Sequence, residues 1–270
     1  MILISILVLG GLGLVFGLFL TFSAKKFHVE RDPRIEKILE VLPMANCGGC
    51  GAPGCEPFAE GVVAGKYPVN GCVVGGQEVA DKIAAILGVE ATAVVPKVAV
   101  VQCLGDRETA KRFAEYTGIK TCKALDLIGG DKGCVYGCLG LGDCVEACLF
   151  DAMYMGENGL PVVIEDKCTG CGECVRACPR GIMALVPKDA PIYLGCVSPE
   201  RGKDVSDVCS RGCIGCSLCA RVVPEGNITM EGYLPVIHYE NVKNPEDLKP
   251  AVERCPTKTF VVRNLENVNV

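Results

Sequence analysis

Twenty cysteines stand in a chain of 270 residues that holds only two histidines and no tryptophan. Thiolates at this density serve one of three chemistries: a disulfide framework, zinc sites or iron–sulfur clusters. The first group is Cys47-x2-Cys50-x4-Cys55, followed by Cys72 and embedded in Asn46-Cys-Gly-Gly-Cys-Gly-Ala-Pro-Gly-Cys55. Gly48, Gly49, Gly51 and Gly54 permit the tight, partly left-handed backbone that wraps three sulfurs around one metal centre. Four cysteines without histidine would also satisfy zinc, so this group alone leaves both metals open.

The second group narrows the choice. Cys168-x2-Cys171-x2-Cys174-x3-Cys178-Pro179 is the run that binds 4Fe-4S clusters in bacterial two-cluster ferredoxins, where the fourth cysteine ligates the other cluster. An internal repeat supplies the partner half, because Cys144, Val145, Ala147, Cys148 and Met153 stand in register with Cys174, Val175, Ala177, Cys178 and Met183. The upstream half reads Cys134-x3-Cys138-x5-Cys144-x3-Cys148, with inserted loop residues and Leu149 in place of the proline. Crossed ligation assigns Cys134, Cys138, Cys144 and Cys178 to one cluster, and Cys168, Cys171, Cys174 and Cys148 to the other.

The third group is Cys213-x2-Cys216-x2-Cys219, with Arg221 and Pro224 in register with Arg176 and Pro179 and with Val223 at the fourth position. Downstream, Cys255-Pro256 stands alone, and the ferredoxin spacing counted back from it falls on Ala251, Leu248 and Pro245. In a crossed arrangement one ligand set (Cys213, Cys216, Cys219, Cys255) is kept whole and the other (Val223, Pro245, Leu248, Ala251) is lost whole. That partition describes a degenerate ferredoxin-like module holding a single cluster. Cys103, Cys122, Cys196 and Cys209 remain. They have no recognised ligand spacing and read as buried thiols, which pack as small hydrophobes; a fifth cluster from these four is conceivable but ranks below that reading.

The elements that must position these ligands follow from local pattern. Asp32-Pro33 caps a helix with Ile35, Ile38, Leu39 and Leu42 on one face, and Val79, Ile83, Ile86 and Leu87 repeat the pattern before Gly88. Val98 to Val101 and Ile192 to Leu194 read as strands, and a helix is expected around Asp106 to Tyr116. The fold class is α+β. The expected organisation is a transmembrane anchor at 1–26, a small helical 4Fe-4S domain at 27–92, a connecting α/β segment at 93–130, a two-cluster ferredoxin-like domain at 131–188 and the degenerate module at 189–270.

The anchor is expected because Met1 to Ala24 carry no charge, and at about 1.5 Å per residue they would reach across a bilayer. The first charges, Lys25 and Lys26, follow the run instead of preceding it, and Phe22 occupies a position where a cleavage site wants a small residue, which disfavours a cleaved signal. Lys25, Lys26, Arg31 and Arg34 then put the rest of the chain on the cytoplasmic side, where disulfides are disfavoured. Gly10, Gly13 and Gly17 share one face, suited to close helix packing.

Charge excludes other roles. The net charge is −5, and no segment carries the clustered Lys and Arg of a nucleic-acid footprint. No Walker loop, nucleophile–base pairing or dinucleotide fingerprint is present; His28 and His238 read as surface or packing residues, and there is no catalytic set. Residues 131–186 hold four basic against eight acidic side chains, whereas Arg201, Lys203, Arg211 and Arg221 form a local basic group in the third module.

Taken together, the uncharged N-terminus, the Asn46 to Cys55 motif with Cys72, the segment from Lys132 to Cys144 and the ferredoxin run after Asp166 resemble the B subunit of the Rnf complex, a membrane-bound, ion-translocating ferredoxin:NAD oxidoreductase. The resemblance covers nearly the whole chain. The sixteen cysteines of the four sets would hold four 4Fe-4S clusters, and the resemblance implies electron transfer from soluble reduced ferredoxin, docked near the C-terminal clusters, through the ferredoxin domain and the Cys47 cluster to membrane partner subunits; the basic group of the third module, against the acidic two-cluster domain, puts that docking at the third module. NAD reduction and Na+ or H+ translocation would occur in those partners, at the cytoplasmic membrane. The rival readings are a polyferredoxin component of another membrane redox assembly and a cysteine-rich redox or metal sensor.

Overall fold

The structure is a computed structural model that describes residues 2–26 and 31–263, with side chains in the first helix described from Leu9 onward, Ala24 apart. His28 lies outside the described residues. Helix α1 (Ile2–Lys26) opens the chain. Among the described residues no helix is long and apolar enough to cross a membrane. This corrects the single transmembrane helix expected at 1–26, and the single-pass anchoring with it.

A small helical domain follows, built from α2 (Pro33–Val41), α3 (Cys55–Val63) and α4 (Gly76–Leu87). Asp32 caps α2 by accepting the Arg34 N–H at 2.9 Å, with Pro33 in the first turn. Gly88 closes α4 in the left-handed conformation (φ 70°), where a β-carbon would be strained. Ile38, Phe58 and Ile83, one from each helix and all fully buried, form the centre of its core.

Two modules of the same plan follow. The first contains β1 (Lys97–Val101), α5 (Cys122–Leu127), α6 (Asp143–Glu146), the hairpin β2 (Met153–Met155) and β3 (Pro161–Val163), α7 (Glu173–Ala177) and β4 (Met183–Pro187). β1 pairs antiparallel with β4, Val98 opposite Val186 and Val101 opposite Met183, so the strand before the cysteine loops closes on the strand after them. The second contains β5 (Ile192–Leu194), α8 (Gly202–Ser206), α9 (Leu218–Val222), the hairpin β6 (Ile228–Glu231) and β7 (Leu234–Ile237), α10 (Lys249–Arg254) and β8 (Phe260–Val262). Here β5 pairs with β8 as β1 does with β4.

Two findings bear on the expectations. Val223, Leu248 and Ala251, three of the four positions of the lost ligand set, are buried in one apolar core with Cys219 and Phe260. Packed side chains there occupy the place in the repeat that the first module gives to cysteines. The helix expected at Asp106 to Tyr116 is absent. Its backbone pairs outward instead: Ala110 bridges Cys209, the Lys111 N–H donates to the Val208 carbonyl at 2.9 Å, and that of Phe113 to Asp131 at 2.9 Å. Hydrogen bonds spent on neighbouring loops are unavailable for a helical ladder.

Candidate iron–sulfur sites

The Cys47 loop is built on left-handed turns at Gly48 (φ 68°) and Gly51 (φ 83°). Asn46 Oδ1 accepts the Cys55 N–H at 2.8 Å, tying the loop's start to the first residue of α3. Cys50, Cys55 and Cys72 pack against the core of the helical domain. Burial pushes the Cys72 thiol up, and the neighbouring Cys55, Cys50 and Cys47 add to the shift.

Cys148, Cys168, Cys171 and Cys174 line one cavity with Ala99, Met153 and Leu185. The Ala99 N–H points at Cys168 Sγ, 3.4 Å away, so β1 supplies a donor to this site. Cys174 is pushed up to about 12 by burial and then by Cys168, Cys171 and Cys148.

A second cavity in this module is lined by Cys138, Cys144 and Cys178 together with Cys122. Cys122 begins α5, and its N–H donates to Asp143 Oδ1 at 2.6 Å, which binds α5 to the helix that carries Cys144. Burial holds Cys138 and Cys144 up at about 12. Cys134, grouped with these residues by spacing, lies instead in a cavity with Cys103, Cys196 and Cys209. No spacing rule marks Cys122, because it reaches the site from a separate helix.

In the last module Cys213, Cys216, Cys219 and Cys255 line one cavity with Thr257, Thr259 and Phe260. Burial pushes Cys213 up to about 11. At Cys255 burial also works upward, but it is outweighed by hydrogen bonds from the Thr259 N–H (3.3 Å) and the Thr257 hydroxyl (3.8 Å), and the thiol is lowered.

All twenty cysteines are free thiols. Among the described residues no group of three or more His, Cys, Asp and Glu is spaced to hold a single metal ion. Four zinc–sulfur bonds of about 2.3 Å would draw the sulfurs to within about 4 Å of one another, whereas a group with several irons between its ligands separates them further. All-cysteine cavities walled by apolar side chains fit that larger group.

Residues 42–74 match the family model described as "Putative Fe-S cluster", and residues 161–183 match the "4Fe-4S binding domain". Over 260 residues the chain is 42% identical to the B subunit of the ion-translocating oxidoreductase complex of Methanosarcina acetivorans, covering 96% of this chain and 97% of the relative. The chain belongs to the family of ion-translocating oxidoreductase complex B subunits. The B subunit of the Na(+)-translocating ferredoxin:NAD(+) oxidoreductase complex of Acetobacterium woodii is 43% identical, over 94% of this chain and 76% of its own length. Its counterpart in the proton-translocating complex of Clostridium ljungdahlii is 41% identical, over 91% and 87%. The B subunit described here is thus an iron–sulfur electron-transfer protein.

Proposed function

We propose that this B subunit passes electrons one at a time from soluble reduced ferredoxin to the other subunits of its complex, where NAD+ is reduced and Na+ or H+ is moved across the cytoplasmic membrane. 4Fe-4S clusters, when bound, supply the one-electron couples for this task. Cys47, Cys50, Cys55 and Cys72 would hold one, Cys148, Cys168, Cys171 and Cys174 a second, and Cys213, Cys216, Cys219 and Cys255 a third. Cys138, Cys144 and Cys178 would hold a fourth, completed by one more cysteine.

The observation that carries this reading is the convergence, in two modules of one plan, of four cysteines around each apolar cavity. The protein's part is to deliver thiolates, exclude water and aim backbone N–H groups at sulfur, as Ala99 does toward Cys168 and Thr259 toward Cys255. Assembly must draw off the protons that burial holds on Cys144 and Cys174.

Partner contacts have support at both ends. Leu12, Phe16 and Phe19 are exposed on α1, an apolar surface for the partner subunits at the membrane to cover. In the third module Arg211 and Arg221 donate to backbone carbonyls of Lys258, Cys216 and Ser217, and Arg201, Lys203 and Arg221 are exposed to meet an acidic ferredoxin. The test is anaerobic iron and sulfide analysis with an EPR redox titration. About sixteen or more irons per chain, reduced reversibly at low potential, are expected; zinc, or iron lost on reduction, would overturn the reading. Reversing Arg201 and Lys203 should slow ferredoxin-dependent reduction and flatten its salt dependence.

A further inference from the structure

We propose that Cys103, Cys134, Cys196 and Cys209 hold a fifth iron–sulfur cluster at the junction of the two modules, and that Cys122 is the fourth ligand beside Cys138, Cys144 and Cys178. The proposal rests on the reading above, that the thiols of this chain ligate clusters, and extends it to residues that sequence spacing left as packing thiols.

The four cysteines come from four segments that share no ligand motif, yet they line one cavity. Cys103 and Cys196 occupy equivalent places in the repeat, each two residues beyond the first strand of its module, and the Leu104 N–H donates to the Gly195 carbonyl at 3.1 Å between them. Cys134 and Cys209 arrive on loops that the 106–116 segment ties together, since the Gly133 N–H donates to the Lys111 carbonyl at 2.8 Å and the Lys111 N–H to Val208 at 2.9 Å. The outward pairing that cancels a helix there therefore assembles this cavity.

Charge and space both point to a ligand. Four thiolates with their irons and sulfides make an anionic group, which a buried site must balance. Lys132, only 4% exposed, reaches the Gly105 carbonyl on the cavity wall at 2.7 Å. Arg211 also lines the cavity; its Nη2 donates to the Lys258 carbonyl, but its Nε is buried with no hydrogen-bond partner. An orphaned cationic donor is costly beside thiols that only pack, and is satisfied beside a cluster sulfur. At Gly105 a β-carbon would stand 3.5 Å from Cys209 Sγ and 3.6 Å from Cys103 Sγ, so a larger residue would fill the space between the sulfurs. The neighbouring site is linked directly, because the Cys138 N–H donates to Cys103 Sγ at 3.3 Å. Removing Cys134 from the ferredoxin set leaves three ligands there, and Cys122, held by Asp143, stands in the fourth place.

The test is iron and sulfide stoichiometry of the full chain, reconstituted anaerobically, with Mössbauer spectra of variants. Five clusters give about twenty irons per chain. Cys196→Ala and Cys209→Ala should each lose about four irons, and the double variant no more. Cys134→Ala combined with Cys196→Ala should also lose about four, but combined with Cys144→Ala about eight; Cys122→Ala combined with Cys178→Ala should lose about four. A wild-type count of about sixteen, with Cys196→Ala unchanged, would overturn this proposal while leaving the cluster-binding reading intact. Absence of iron would overturn both. Should a variant fail to fold, the wild-type count still decides.

Discussion

Arg176 Nη2 donates to the backbone carbonyl of Cys47 at 3.0 Å, joining residues 129 apart in the chain. Arg176 sits on α7 beside Cys174 and is held in place by an ion pair with Glu173. The bond therefore sets the Cys47 loop directly against the ferredoxin module. Arg176→Ala should leave iron content unchanged but speed amide exchange at Gly48 and Gly51 by about tenfold, as expected for losing a hydrogen bond to a charged donor worth roughly 1.5 kcal/mol. Unchanged exchange would show that the two loops are held without it.

Gly49 makes the other half of that contact. A β-carbon there would lie 2.9 Å from the Cys171 carbonyl oxygen and 2.7 Å from Val73 Cγ2, closer than atoms of folded proteins approach. Because one neighbour is backbone, the loop itself must move. Gly49→Ala is expected to destabilise the loaded protein by about 1–3 kcal/mol, read as a lower urea midpoint, and to slow electron exchange between the two loops.

Asn46 organises the N-terminal site through one bond, from the Cys55 N–H to its Oδ1. Asn46→Ala orphans that donor at a cost of about 1–2 kcal/mol, and should make the Cys47 site surrender iron to a chelator faster than the other sites do. Asn46→Asp keeps an acceptor in place and should retain most of the iron.

Cys255 is the one described cysteine whose thiol is lowered, with Thr259 and Thr257 donating to its sulfur against the opposing effect of burial. Thr257 and Thr259 hydroxyls also bond each other at 2.6 Å. Hydrogen bonds to ligand sulfur favour the reduced, more negative state. Thr257→Val should lower the potential of this site by about 40 mV, the one-electron equivalent of a hydrogen bond worth about 1 kcal/mol. An unshifted potential in an EPR titration would remove the hydroxyl from the tuning set.

Arg263 fastens the end of the last module to the first. Its side chain, 2% exposed, pairs with Glu165 through Nη2 (2.6 Å) and Nε (2.9 Å) and donates from Nη1 to the carbonyls of Pro187 and Ala190. Removing one partner of such a pair leaves buried groups unsatisfied, so Arg263→Ala should cost about 3 kcal/mol in denaturant unfolding. Arg263→Lys should recover little, because an ammonium cannot reproduce the two-pronged fit to the carboxylate.

Much of the design was legible in one dimension. Ligand runs within a single loop, such as Cys168 to Cys174 or Cys213 to Cys219, announce themselves because a tight loop can wrap a metal centre only at certain spacings. The helices over Pro33–Val41 and Gly76–Leu87 were legible from their caps and apolar faces. Val223, Leu248 and Ala251, apolar residues where the ferredoxin spacing expects cysteine, are buried together in one core. The α1 segment was not legible: its lack of charge suggested a membrane span, but among the described residues no helix is long and apolar enough for one.

What the sequence by itself determined was the chemistry: cysteines in ferredoxin spacing, repeated. Only the tertiary structure decided which cysteines meet across segments. Cys122 joins Cys138, Cys144 and Cys178 because Asp143 pins one helix to another. Cys134 joins Cys103, Cys196 and Cys209 because backbone pairing draws four loops to the seam between two modules. Local spacing encodes only what one stretch of backbone can reach, whereas a site at a seam depends on how strands and loops far apart in the chain satisfy their hydrogen bonds.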